Sequence, residues 1–308
     1  MPGRRQRGGA ERGAPLNARA RWDWPSLALA LGWIFLYIAV GGGLAYALAH
    51  GYTWLGQRDL LPASIRRTSA WFLPVAGTLP LIAFGFATWL VGARLAGRSW
   101  DGLGWREGSP RQLFRGAGVG VGAAVVAVFL TVALGGARVR LIPGGFAHPD
   151  VTGPLVLGLL AAALFEELLF RGFPLRALAD GIGPWPATLF LGGAFGAAHA
   201  WNDHVGVYGI LNIALAGVWL SLAFFSGGMG LAWGLHFGWN LGLALLDAPV
   251  SGIDLGVPGV SYQWGVHRWL DGGAFGPEGG LVGTIAIALG AVATVGVRVT
   301  RSRGWLAA

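Results

Sequence analysis

The chain of 308 residues contains no cysteine and no lysine, and only 12% of its residues are charged. Without cysteine there is neither a disulfide nor a thiolate metal site. A soluble domain carries about a quarter charged residues, so the shortage of charge argues against a soluble enzyme. The missing lysine, set against 22 arginines, reads as codon bias in a GC-rich genome rather than as mechanism. Nor does the formal charge of +8 call for nucleic acid as a partner. The arginines gather in the amino-terminal tail and at the ends of apolar runs, where anionic lipid headgroups lie.

What is present is apolar. Hydrophobic residues make up 54% of the chain, the mean hydropathy is +0.58, and 55 glycines suit closely packed membrane helices. A membrane span needs about 20 mainly apolar residues. Eight stretches qualify, at roughly 27–49, 71–95, 113–134, 154–173, 185–201, 205–225, 229–247 and 280–298. The expected fold is therefore all-α, a polytopic membrane helix bundle of about eight transmembrane helices. Residues 1–24 read as a disordered basic cytoplasmic tail, and 25–303 as a single transmembrane domain with its catalytic core at 154–247. The first apolar run is too long for a cleavable signal. The arginines Arg4 to Arg21, Arg94 to Arg115, Arg171, Arg176 and Arg298 to Arg303 all fall on one side if the spans alternate. By the positive-inside rule both termini are then cytoplasmic. The expected location is a bacterial plasma membrane, with the lipid bilayer as a partner. The glycine-rich, acidic segment 248–279 lies outside and receives no role beyond connection. Gly116, Gly118, Gly120 and Gly122 repeat small residues at helical spacing, but in so glycine-rich a chain this is close to chance.

Ionisable groups inside apolar runs are costly unless paired or wet, and so they mark function. Three patterns carry them. The first is Glu166-Glu167-Leu168-Leu169-Phe170-Arg171. On a helix Glu167 and Arg171 share a face and can pair, while Glu166 points about 100° away, free to face a cavity. A structural Glu–Arg pair accounts for one carboxylate and leaves the other unexplained. The second pattern is Phe195-Gly196-Ala197-Ala198-His199, and the third is His236-Phe237-Gly238-Trp239-Asn240. His236 and Asn240 also share a face, suited either to binding an oxyanion or to holding the bundle together by interhelical hydrogen bonds. Glu166, His199 and His236 form the ligand set of a catalytic divalent metal such as zinc with an open position. They equally suit a metal-free site in which Glu166 and His199 polarise a water. The zinc-protease pattern HExxH is absent. Asn212, in mid-span, is expected to make an interhelical hydrogen bond.

Together the three patterns resemble the CPBP family of CAAX proteases and bacteriocin-processing enzymes, also called Abi. That family is marked in this order by EExxxR, FxxxH and HxxxN or HxxxB, and the resemblance covers roughly 154–247. It implies a membrane-embedded, CAAX-type endopeptidase whose cavity opens to the cytoplasm. In it Glu166 would be the general base, working with His199 on the attacking water. His236 and Asn240 would stabilise the oxyanion, and Glu167 with Arg171 would hold the site in shape, beside Phe195. Both metalloprotease and metal-free mechanisms are argued for the family, and the partner would be a peptide or protein substrate, membrane-anchored or prenylated. Two other readings carry the same residues. One is a secondary transporter with an intramembrane Glu/His relay, and the other a non-catalytic immunity-type scaffold. One distance sits badly with an eight-span count. His199 falls about 20 Å along a helix that starts at Pro184, whereas Glu166 is some 10 Å from its inner end. The cluster Gly181, Gly183, Pro184 and Pro186 allows a re-entrant start that would reconcile them.

Overall fold

The computed structural model describes residues 24–66, 69–106, 109–145 and 148–299. The basic tail, and with it Arg67, Arg301 and Arg303, lies outside the described residues. The helices are α1 (Trp24–Gln57), α2 (Phe72–Ala87), α3 (Ser109–Ala133), α4 (Pro149–Phe170), α5 (Phe173–Ile182), α6 (Pro184–Ala198), α7 (Val207–Leu245), the single turn α8 (Arg268–Asp271) and α9 (Leu281–Val299). A stretch of π-helix, Thr88–Leu95, prolongs α2. Among the described residues, five helical segments are long and apolar enough to cross a membrane: α1, α2 with its π turn, α3, α4 with α5, and α7. The chain is a helical membrane bundle.

Three features go beyond the eight apolar runs. First, the runs 205–225 and 229–247 are the two arms of α7, which breaks between them at Gly228, where φ is 75° and ψ is −167°. Only glycine takes this conformation readily, and a Cβ there would meet the Gly104 carbonyl oxygen at 2.4 Å. That same carbonyl accepts the Met229 N–H at 2.8 Å, so the break is tied to the loop before α3. Second, the link between Arg171 and Pro184 is itself a helix, α5, with Leu175, Leu178 and Ile182 buried. Gly172 ends α4 and Pro174 sits in the first turn of α5, where its missing N–H costs nothing. Third, the fold is not purely helical. β1 (Ala137–Leu141) pairs antiparallel with β2 (Val260–Trp264), Val139 opposite Tyr262, joining the loop after α3 to the segment 248–280.

Two glycines of the α3 run hold the bundle together. A Cβ at Gly116 would stand 2.4 Å from the Leu231 carbonyl oxygen, and one at Gly120 would stand 2.2 Å from that of Leu235. From the other side, a Cβ at Gly234 or Gly238 would stand 2.0 or 2.2 Å from the carbonyl oxygens of Leu113 and Ala117. α3 therefore lies backbone to backbone along the second arm of α7, as small residues permit in membranes. Gly118 and Gly122 share the spacing, but a Cβ at either would have nothing within 4 Å. A similar contact sets α4 on α2, where Gly158 faces Leu73 and Gly77 faces the α4 backbone. Tyr37 of α1 then ties the group, donating to the Leu168 carbonyl at 2.9 Å and sharing a bond with Thr88 of 3.0 Å.

The paired glycines give a direct check. Gly120→Val is expected to lower the melting temperature in detergent, or to prevent folding, because overpacking costs about 1–3 kcal/mol or more. Gly118→Val, two residues away on the open face, should leave melting unchanged, and equal effects would contradict this packing.

Candidate active site

α4 ends by presenting two carboxylates on different faces. Glu167 turns inward and is fully buried, as is Arg171 one turn later. Arg171 Nη1 donates to Glu167 Oε1 at 3.1 Å, and Nη2 donates to the Gly217 carbonyl of α7 at 3.2 Å. The guanidinium also covers the Phe195 ring, 4.1 Å from its centroid. Phe195 thereby acts twice. Its ring supports Arg171, and its backbone carbonyl lies 2.8 Å from Nδ1 of His199. A carbonyl only accepts, so His199 carries its proton on Nδ1 and turns Nε2 outward. The spacing of Phe195 and His199 is thus a local hydrogen bond across one helical turn at the end of α6, with His199 as the cap residue.

His236 is held in the same sense by a different group. Its Nδ1 lies 2.8 Å from Glu167 Oε1, the oxygen that already accepts from Arg171. That oxygen accepts from the ring as it does from the guanidinium, so the Nε2 of His236 faces the other way. Both imidazoles present Nε2 to one point. Glu166 Oε2 lies 3.8 Å from His236 Nε2 and 3.9 Å from His199 Nε2. This oxygen is buried and has no hydrogen-bond partner among the protein groups. A buried polar atom of that kind asks for a partner, and the spacing suits one water touching all three atoms. The side chains of Glu166 and His199 as a whole remain 26% and 16% exposed.

The donor types Glu166, His199 and His236 also match a zinc set. Bonds of about 2.0–2.1 Å in a tetrahedron place ligand atoms about 3.4 Å apart, and the distances here are wider. Among the described residues no three His, Asp or Glu side chains stand in metal-holding geometry. As placed, the residues do not fit the ion.

Asn240 lines the cavity with His199 and His236, one turn beyond His236 on α7. That cavity also has walls the motifs did not announce, namely Trp219, Trp239, Ser251 and Glu278. Glu278 is buried and accepts from Trp239 Nε1 at 2.8 Å, and from the N–H and hydroxyl of Ser251. No spacing in the sequence points to it, since it is one acid in a glycine-rich loop. Asn212 is bonded as expected, donating to the Glu278 and Gly280 carbonyls and accepting from Thr284 of α9. His204 and Asp203 fall in the turn after α6 and take no part. The distance puzzle at His199 resolves through α5. After Arg171 the chain turns into this buried helix, so α6 starts within the bundle and its last residue reaches Glu166.

The family whose model matches is described as Type II CAAX prenyl endopeptidase Rce1-like, and the match covers residues 149–242. The matched segment is 94 of the 308 residues. It runs from the start of α4 through the second arm of α7, and so takes in all three motifs and every group described around Glu166. That stretch of the membrane bundle is therefore similar to the CAAX endopeptidase family. No curated protein matches the chain.

The buried pair at the centre of the matched segment makes a prediction about stability. Arg171→Met leaves Glu167 charged and without its main counter-ion, which should cost about 3–5 kcal/mol. Adding Glu167→Gln to that variant should recover part of the loss. Thermal melts of the two single variants and the double variant check this, and strict additivity would contradict the pairing.

Proposed function

We propose that this protein is an intramembrane endopeptidase that cleaves a peptide bond of a peptide or protein substrate, membrane-anchored or prenylated, by a water held at Glu166. The observation that carries this reading is the convergence of Glu166 Oε2 with the two Nε2 atoms on a point that no protein donor fills. In the proposed step Glu166 takes a proton from the water while His199 orients it, and the oxygen attacks the scissile carbonyl. Glu166 then passes the proton to the leaving amine. The charges of Glu166, Glu167 and Arg171 sum to minus one, and a further proton on His236 neutralises the cluster. In that state His236 Nε2 donates to the oxyanion beside the Asn240 amide. One such donor contributes about 2.7–4 kcal/mol to the transition state.

Glu166→Gln is expected to abolish cleavage of a quenched-fluorescent peptide library while melting and membrane insertion stay as in the parent. Asn240→Ala should retain the fold and lower kcat by about 10²–10³. Full activity of Glu166→Gln sinks the assignment and leaves the relay and scaffold readings. A chelator arm addresses the metal. A divalent ion such as zinc on Glu166, His199 and His236 requires those atoms to draw together by about half an ångström, and loss of activity on chelation, restored by zinc, would demonstrate it.

We further propose a bacterial plasma membrane with both termini cytoplasmic, on the arginine distribution. The loop 199–206 and the segment 248–280 then lie outside, and the Ser251 and Glu278 end of the cavity lies toward them. The family resemblance implied the opposite face. The chain has no cysteine, so Asp254→Cys gives a single label. A membrane-impermeant maleimide should modify it in intact cells, and modification only after lysis would reverse the orientation.

A further inference from the structure

Away from the catalytic groups, a larger cavity opens at the end of the bundle where α1 begins. Its interior is about 350 Å³, and α1, the loop after the π turn and α5 make its walls. α5 runs antiparallel to the start of α1. At one end a Cβ on Gly181 would lie 3.0 Å from the Leu27 Cα, and at the other the Phe173 ring packs on Tyr37, their centroids 5.5 Å apart. The cavity between them is therefore graded in polarity. Its outer end holds Arg98 and Asp180, with Arg98 Nη2 donating to Asp180 Oδ2. Its inner end, about 10 Å further along α1, is lined by Ala30, Trp33 and Phe173.

The surroundings identify what such a gradient meets. The first turns of a spanning helix lie at the level of the lipid head groups. Of the residues in α1 only Ala30, Tyr37 and Gly41 are buried, and Leu29 on the cavity wall is 63% exposed, so this side of the bundle faces the bilayer. The charged end is open as well. The side chains of Arg98 and Asp180 are 34% and 54% exposed. A guanidinium has five N–H donors, and the bond to Asp180 uses one of them.

We propose that this cavity binds one phospholipid whose head group carries both a phosphate and a primary ammonium, of the phosphatidylethanolamine type. The phosphate takes further N–H donors of Arg98, a pairing that suits the planar guanidinium. The ammonium reaches Asp180. The glycerol and the start of one acyl chain lie against Ala30, Trp33 and Phe173. An anionic head group without an amine leaves Asp180 facing like charge, and a trimethylated amine has no N–H to give it. In this place the lipid braces α5 against α1, and α5 begins two residues after Arg171.

The test uses the full-length protein, purified in mild detergent and stripped of lipid. It is titrated with phosphatidylethanolamine, phosphatidylcholine and phosphatidylglycerol of identical acyl chains, and bound lipid is counted by native mass spectrometry. A single ethanolamine lipid should bind, about fivefold more tightly than either of the others, the scale of a partly exposed ion pair. Asp180→Asn, which keeps the shape, should remove that preference, and Arg98→Gln should weaken binding of all three. Equal binding of the three lipids by the parent, or an unchanged preference in Asp180→Asn, overturns the proposal. A second readout fixes the place and needs neither variant. Leu29→Cys in this cysteine-free chain should react with a maleimide severalfold more slowly once ethanolamine lipid is added. Leu31→Cys, exposed but outside the cavity walls, should react at an unchanged rate. Slowing at both positions, or at neither, also overturns the site, and protection by phosphoethanolamine without acyl chains would make the ligand a soluble one.

Discussion

One buried oxygen organises this molecule. Glu167 Oε1 accepts from Arg171 on its own helix and from His236 on α7, in an interior that would otherwise exclude all three groups. Removing a charged group from water costs several kcal/mol unless it is paired, so each partner depends on the others for its place. The pairing joins α4 to α7, and through Gly217 and Phe195 it reaches the first arm of α7 and the end of α6. It also sets the His236 ring. With Nδ1 turned to Glu167, Nε2 has no direction left except toward Glu166.

The remaining architecture brings these groups within reach of one another. α3 approaches the second arm of α7 closely because Gly116 and Gly120 meet Gly234 and Gly238, and that arm carries His236 and Asn240. The break at Gly228 lets one continuous stretch supply both the Arg171 acceptor at Gly217 and the imidazole at 236. α5 allows α6 to begin inside the bundle, so that its final residue meets the last turn of α4. Across the cavity, Glu278 is a second buried carboxylate held by donors from separate segments, on both of its oxygens where Glu167 takes its donors on Oε1 alone.

Much of this is legible in the sequence, and what is not has physical reasons. Helical spacing pairs Glu167 with Arg171 and turns Glu166 elsewhere, because those relations lie within one helix. That the same oxygen of Glu167 also holds His236 is a contact between residues 69 positions apart, and no local pattern carries it. The spans are visible as apolar runs, but α5 is not, since ten amphipathic residues between two apolar runs read as a link. The glycine spacing in α3 is visible too, yet it does not say which glycines matter. Gly116 and Gly120 differ from Gly118 and Gly122 only in facing α7, and with little polarity around the helix the sequence does not mark which face that is. Glu278 has no motif at all, and the β1–β2 pair joins two loops far apart in the chain.

The central claim is that the far nitrogens of His199 and His236 are both occupied, leaving the near ones, in the proposed step, for the water and the oxyanion. Nitrogen-15 NMR of histidine-labelled protein reads this directly at His199 and His236, assigned by their single substitutions to Gln. Both rings are expected to carry a proton on Nδ1, His199 bonded to the Phe195 carbonyl and His236 to Glu167. A ring at either position protonated only on Nε2 would contradict it.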